Sequence, residues 1–327
     1  MLLMRKVHKK MSLYKLTPLF QQRIWGGRKL ESEFGYDIPE GPIGECWGIS
    51  AHANGESLIE TGPYKGRKIS ELWSEHREEV FGHYELDAFP LLIKILDAAA
   101  DLSVQVHPND EQAMKLEGEP YGKTECWYVL DAEPGAELII GHTALTKEDF
   151  IQKIEDGNWD SLLQKKPVQK GDFVFVESGT IHAIGAGIMI LEIQQSSDTT
   201  YRVYDFDRTD AEGNKRELHI DKAIEVSKIP HEEPFIEIVE EEVPSGINKR
   251  LIDTAEFKVW HHKVASGFEV ADADHFRLLS VIEGSGSILS GESGERVPLS
   301  KGDHFLIPRK SGKLFVDGDM EWITSKA

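Results

Sequence analysis

The sequence predicts a mainly β protein, two β-barrels of one plan with a few decorating helices, and three observations carry that prediction. Most apolar segments are short and strand-like, as in Leu91-Leu-Ile-Lys-Ile-Leu96, Cys126-Trp-Tyr-Val-Leu130, Phe173-Val-Phe-Val176 and Ile188-Met-Ile-Leu-Glu-Ile193. Glycine, proline, asparagine or aspartate punctuates most of the gaps, which is the rhythm of a sandwich or barrel and not of a parallel βαβ sheet. Finally, Lys170-Gly-Asp-Phe-Val-Phe-Val-Glu-Ser-Gly-Thr-Ile-His182 recurs as Lys301-Gly-Asp-His-Phe-Leu-Ile-Pro-Arg-Lys-Ser-Gly-Lys313. Both copies read turn, strand, turn, strand, and internal similarity of this kind marks a repeated unit.

In chain order, the basic start is expected to be a frayed arm over residues 1–11, because no apolar stretch follows it to make a secretory signal. A first strand is expected over 13–19. Helical patterns lie at 69–81, at 110–116 behind Asn109 as N-cap, and at 147–163 behind Thr146. The strands already quoted fill most of the intervals, with Leu138-Ile-Ile140 among them. The acidic stretch 229–244, holding His231-Glu-Glu-Pro234 and Glu240-Glu-Glu242, reads as a solvated connector. It divides the chain into a metal-binding domain with helical insertions over 12–240 and a second β domain over 241–327.

Composition narrows the partners. A chain of 327 residues has room for roughly two domains, each with its own core. The balance of 37 basic against 57 acidic residues gives a formal charge of -20, which repels nucleic acid and anionic lipid over most of the surface. A small phosphorylated substrate is compatible with that charge, since a few cations in a cleft create a local field that net charge does not report. Cys46 and Cys126 are too few for a disulfide framework and fit a reducing, cytoplasmic compartment. No apolar run approaches the roughly 20 residues of a membrane span.

Three polar residues stand in strand contexts that are otherwise apolar: His107 in Ser103-Val-Gln-Val-His-Pro108, Glu125 in Lys123-Thr-Glu-Cys-Trp127, and His182 in Gly179-Thr-Ile-His-Ala183. With period-two alternation Gln105 shares a face with His107, and Lys123 with Glu125, while Val104, Val106 and Cys126 face away. Two imidazoles and a carboxylate suit a divalent first-row metal, with zinc the default where no redox chemistry is implied. Gln105 adds a weaker fourth oxygen. Three protein ligands and an open position describe a catalytic site, since a structural zinc is usually closed by cysteines. The repeat replaces His182 by Lys313, so only the first barrel is expected to carry metal in this way.

Several segments together resemble the type I mannose-6-phosphate isomerase family in its short bacterial form. They are Gly41-Pro-Ile-Gly-Glu-Cys-Trp-Gly-Ile-Ser50, Pro90-Leu-Leu-Ile-Lys-Ile-Leu-Asp-Ala98, Leu102-Ser-Val-Gln-Val-His-Pro-Asn109, Lys123-Thr-Glu125, Gly179-Thr-Ile-His-Ala183 and Ile193-Gln-Gln-Ser-Ser-Asp-Thr-Thr-Tyr-Arg-Val-Tyr-Asp-Phe-Asp207, in the family's order along most of the chain. The resemblance implies two cupin-like (jelly-roll) β-barrels. It implies one zinc per chain at Gln105, His107, Glu125 and His182, a catalytic Arg202, and interconversion of mannose 6-phosphate and fructose 6-phosphate. Longer relatives carry a helical insertion before the histidine strand, and here only 143–169 occupies that interval.

Isomerisation moves a proton between C2 and C1 through an enediol, so negative charge on oxygen must be stabilised. Arg202 suits that task because its guanidinium stays protonated. Lys123, Glu192 and a metal-bound water are the candidates for moving the proton. Lys94, a cation inside an apolar run, is expected either to meet substrate or to form a buried pair. Trp25 and Trp47 flank glycine-rich turns and are candidates for a sugar-stacking wall against the alternative of core packing. Two rival functions stay open at this point: an iron(II) cupin oxygenase, which uses the same ligand types, and a non-enzymatic sugar-binding cupin with structural zinc.

Overall fold

Residues 13–209 and 213–327 are described by the computed structural model, and the arm expected at 1–11 lies outside them. In one part of the chain the apolar alternation sorts into two β layers. The first sheet carries Phe173–Val176, Glu125–Ala132, Ile188–Gln195, Leu91–Ala98, Leu19–Gly27 and Ile43–Ile49 in that order. The second carries Leu163–Pro167, Glu137–His142, His182–Ile184, Val104–Val106 and Tyr201–Tyr204.

Successive side chains of a strand point to opposite faces, so Leu96, Val174, Ile190 and Val129 turn the same way. They meet Leu138, Ile140 and Ile184 of the second sheet in one apolar core. The reverse face of the second sheet, with Val104, Val106, Ala183 and Val203, packs on Phe150 and on Ala223 and Val226 of the helix Ile220–Val226. Antiparallel sheets stacked in this way make the predicted jelly roll. Among the described residues no helix is long and apolar enough to cross a membrane, and both cysteines are free and buried.

A ten-stranded sheet forms the second jelly-roll element, running Val239–Val243, Gly246–Asp253, Lys258–Val264, Leu314–Lys326, Arg277–Ser290, His304–Ile307, Tyr14–Thr17 and Leu58–Ile59, with Glu269–Val270 and Arg296–Ser300 added at its side. Leu279, Val281, Phe305, Val316 and Trp322 anchor its core. By contacts the described chain divides into one unit of 20–47 and 90–236 and another of 13–19, 48–89 and 237–327. This differs from a single cut at 240/241. Tyr14–Thr17 pairs antiparallel with His304–Ile307 and with Leu58–Ile59, and Trp73, Phe81 and Phe89 pack edge-on around Phe276 or around one another. The carboxy-terminal unit therefore recruits amino-terminal segments. Part of the acidic stretch is itself a strand, Val239–Val243, paired in register with Gly246–Asp253.

Two predicted helices form where expected. Ile69–Val80 buries Ile69, Leu72, Trp73 and Val80, and Asp110–Glu117 starts behind a reciprocal cap in which Asn109 and Gln112 bond each other's backbone N–H. The third, expected as one helix over 147–163, is broken. Lys147–Glu155 ends where Gly157 takes a left-handed φ of 63° and Asn158 N–H closes onto the Lys153 carbonyl. A short turn of helix, Trp159–Leu162, follows, and Leu163 begins a strand.

Candidate active site and metal centre

Strand register builds the site. Gln105 is directly opposite His182 on one neighbouring strand and opposite Arg202 on the other, and residues opposed in an antiparallel ladder share a face. His182, Gln105 and Arg202 thus form one polar row on the inner side of the second sheet. Across from it, the first sheet aligns Glu125 with Gln194, and Trp127 with Glu192 and Lys94. Below these rows the same faces turn apolar with Val129, Ile190, Leu96 and Ile184. The polar groups therefore gather at one end of a hydrophobic sandwich.

His107, Glu125 and His182 come together there, all buried, with one candidate ligand atom from each within 4.8 Å of the others. His107 Nε2 lies 3.7 Å from Glu125 Oε2, and His182 Nε2 lies 3.5 Å from Glu125 Oε1. The far side of each ring is fixed by the backbone. His107 Nδ1 donates to the Thr199 carbonyl at 2.9 Å, and His182 Nδ1 donates to the Thr180 carbonyl at 2.9 Å. That bonding leaves both Nε2 atoms as acceptors turned toward the carboxylate, the tautomer a metal ligand needs. Burial above all holds His182 down to about 4, and burial together with the Lys123 cation holds His107 well below its usual range, so both rings are neutral.

The chemistry of these donors fits a divalent cation. Both Glu125 oxygens are buried, and neither accepts a hydrogen bond of good geometry among the described residues. Carboxylate oxygens left in that state are costly unless a cation serves them. The Lys123 ammonium partly answers, as an ion pair 2.8 Å from Oε2, and it donates to His107 Nε2 at 3.1 Å. Gln105 donates its amide to His182 Nε2 at 3.4 Å, and a half-turn of that amide puts oxygen in the same place. All four residues predicted as metal ligands are therefore neighbours.

A second group of buried charges lies beside the first. Lys94, 3% exposed, sits 3.8 Å from Glu45 Oε2, 3.7 Å from Glu192 Oε2, and 4.9 Å from the centre of the Trp47 ring. Arg23 grips Glu45 with two hydrogen bonds, at 2.8 and 3.1 Å, and Trp47 Nε1 donates to Glu45 at 2.6 Å. Burial alone raises a carboxyl, but Lys94 and Arg23 outweigh it and hold Glu45 down to about 2. Glu192 behaves oppositely: burial and the nearby Glu125 push it up to about 7. For Lys123, desolvation works to lower the pKa, and Glu125 and Glu192 overcome it and raise it.

Arg202 does not pair with Asp205 among the described residues, since Arg208 and Arg216 take that carboxylate. It donates instead to the Glu217 carbonyl at 2.8 Å and to Ser103 Oγ at 3.3 Å. Trp25 needs correction as a sugar wall: it is 4% exposed and belongs to the apolar core. Glycine at position 44 explains why, because a Cβ there would lie 2.6 Å from Trp25 Cζ3. Trp47 is likewise buried. Glu45 was not singled out by sequence reasoning, although it stands in an apolar strand context like that of Lys94.

Comparison with known proteins agrees with this geometry. Residues 13–148 match the phosphomannose isomerase type I catalytic domain, and residues 247–327 match the mannose-6-phosphate isomerase cupin domain. The chain is 49% identical over 308 residues to mannose-6-phosphate isomerase ManA of Bacillus subtilis, covering 94% of this chain and 96% of that one. It is 48% identical over 319 residues to mannose-6-phosphate isomerase of Streptococcus mutans, covering 94% of this chain and 98% of that one. The crystal structure of a Bacillus subtilis mannose 6-phosphate isomerase superposes with a TM-score of 0.94 at 43% identity, over 97% of this chain and all of that one. On these grounds the chain belongs to the type I phosphomannose isomerase family.

Proposed function

We propose that this protein interconverts mannose 6-phosphate and fructose 6-phosphate in the cytoplasm. The observation that carries the reading is the pair of backbone-locked neutral imidazoles facing both unbonded oxygens of Glu125, with Arg202 in the adjoining register position. His107, Glu125 and His182 would hold one zinc ion per chain, with Gln105 as a further oxygen ligand, and an ion held there would supply Lewis acidity toward the sugar's oxygens.

The chain's own groups divide the remaining work. Glu192, a buried carboxyl aligned with Trp127 and Lys94 beside Glu125, is the group that moves the proton between C2 and C1. Lys123, its ammonium 2.8 Å from Glu125 Oε2, donates to a sugar oxygen. Arg202 offsets negative charge on the oxygen as it develops. Lys94, locked between Glu45 and Glu192, orients the Glu192 carboxylate from behind the site.

A coupled assay with mannose 6-phosphate tests the reading. Turnover present in the zinc-loaded protein, abolished by thorough chelation and restored by zinc supports it. Oxygen uptake with a loaded iron(II) protein and no isomerisation favours an oxygenase. Sugar binding without turnover favours a binding protein.

A further inference from the structure

The carboxy-terminal unit carries a half-open cavity of about 400 Å³, within the range of small-ligand pockets. Register explains its walls. Asn248 is opposite His262, His262 is opposite Trp322, Trp260 is opposite Thr324, and Thr324 is opposite Leu279. These side chains share one face of the sheet. Arg277, two residues before Leu279, and Lys326, two residues after Thr324, extend that face with cations.

The polar groups lining the cavity differ in what they have left to offer. His262 is saturated, with Nδ1 2.7 Å from Asn248 Oδ1 and Nε2 2.8 Å from Thr324 Oγ1. It has no free nitrogen for a metal. Asp272 accepts Gly312 N–H at 3.0 Å, and Glu269 pairs with Lys313 at 2.9 Å. Asp272 lies close enough to act on Arg277 through its charge, but neither carboxylate forms an ion pair with Arg277 or Lys326 among the described residues. Arg277 Nε is buried without a hydrogen-bond partner, and no ion pair holds this guanidinium among the described residues. Lys326 Nζ meets a neutralisable base, His275 Nε2 at 3.1 Å, and lies 5.7 Å from the centre of the Trp260 ring.

Desolvation lowers Arg277 against the opposing charge of Asp272, and it lowers Lys326, where Lys258 and Arg277 add to it and Asp253 opposes it. Desolvation is also the main cause for His275, with Lys326 and Arg277 after it. A buried guanidinium nitrogen without a partner, beside Lys326 and walled by Trp260, Trp322 and Phe268, is suited to an oxyanion carried on a body that aromatic faces can cover.

We propose that this cavity is a second ligand site, for a small organic oxyanion, in which Arg277 and Lys326 take the charged group and Trp260 and Trp322 cover the body. The site lies in the carboxy-terminal unit and is independent of the metal centre. Calorimetry on the zinc-loaded full chain, with inorganic phosphate, mannose 6-phosphate and gluconate as probes, separates a bare phosphate, an organic phosphate and a carboxylate. The expected result is that at least one probe binds at least tenfold more weakly to Arg277→Met than to the parent, with KM and kcat for mannose 6-phosphate unchanged. Lys326→Met should show the same weakening and replaces Arg277→Met if that variant fails to fold. Equal affinity of all three probes for the parent and the folded variants, or binding of none to the parent, overturns the proposal. Absence of turnover in the parent would instead contradict the isomerase reading, and it leaves the calorimetric comparison intact.

Discussion

In the unit of 20–47 and 90–236 the inner sheet face presents two neutral imidazoles and a carboxylate with unbonded oxygens. In the carboxy-terminal unit the inner face presents His262, already bonded through both ring nitrogens, and the cations Arg277 and Lys326. Both interiors come from the same alternation of inward and outward side chains. The difference teaches that the jelly roll supplies a place and a register, whereas the charges set on its inner face give each interior its own chemistry: donors suited to a cation in one unit, and Arg277 and Lys326 in the other.

The sharpest way to break this contrast is Glu125→Ala, which removes the negative charge from the first interior. Metal analysis should show zinc occupancy collapsing, with turnover falling to background and the fold retained. Full occupancy would mean that the metal sits elsewhere. Glu192→Gln keeps the shape and removes the titrating group, and kcat should drop by roughly 10²–10⁴-fold, the scale of a lost general acid-base group. Zinc content should stay at the parent's level. Arg202→Ala should lower kcat by roughly 10²–10³-fold, the scale of one donor to a developing oxyanion. Unchanged kcat with a raised KM would make Arg202 a binding residue only.

A smaller effect sharpens the comparison from the other side. His304, fully buried and 2.8 Å from Ser280 Oγ, is pushed down to about 3 by desolvation, and His262 is pushed to about 3 by desolvation, His261 and Arg277. The unfolded chain binds these protons near the ordinary histidine value of 6.5, while the folded chain resists them until about 3. The unfolded state therefore binds more protons in that window, so stability is complete above about 6.5 and declines as pH falls toward 3. Urea midpoints across that range should show the decline, and His304→Gln should make it shallower. Zinc does not enter this contribution, because neither ring belongs to the metal centre.

Much of the first interior was legible because a charge or an imidazole inside an apolar strand must have a reason. His107, Glu125 and His182 stood out in this way, and Gln105 and Lys123 followed from period-two alternation. What sequence does not carry is which strands become neighbours. Lys94 finds Glu192 only because Leu91–Ala98 pairs with Ile188–Gln195, and the Glu45 carboxylate arrives from another strand altogether. Trp25, flanked by glycines, was open to a sugar-stacking or a packing role, and Gly44 is the reason a strand can close over it and bury it. The unit boundaries failed to appear for the same reason as the Lys94 pairing: Tyr14 meets Leu306 across almost the whole chain. The repeat was informative in a limited way. Lys313, aligned with His182, is largely exposed and paired with Glu269, so the second interior draws its character from Arg277, Lys326 and His262, positions that the repeat did not indicate.

Anomalous diffraction at the zinc edge, on crystals of the zinc-loaded full chain, tests the opposite charge preference of the two interiors most directly. A single strong peak bounded by His107 Nε2, Glu125 and His182 Nε2, with none beside His262 and Arg277, is the predicted result. A peak in the carboxy-terminal cavity, or none between those three side chains, would contradict it.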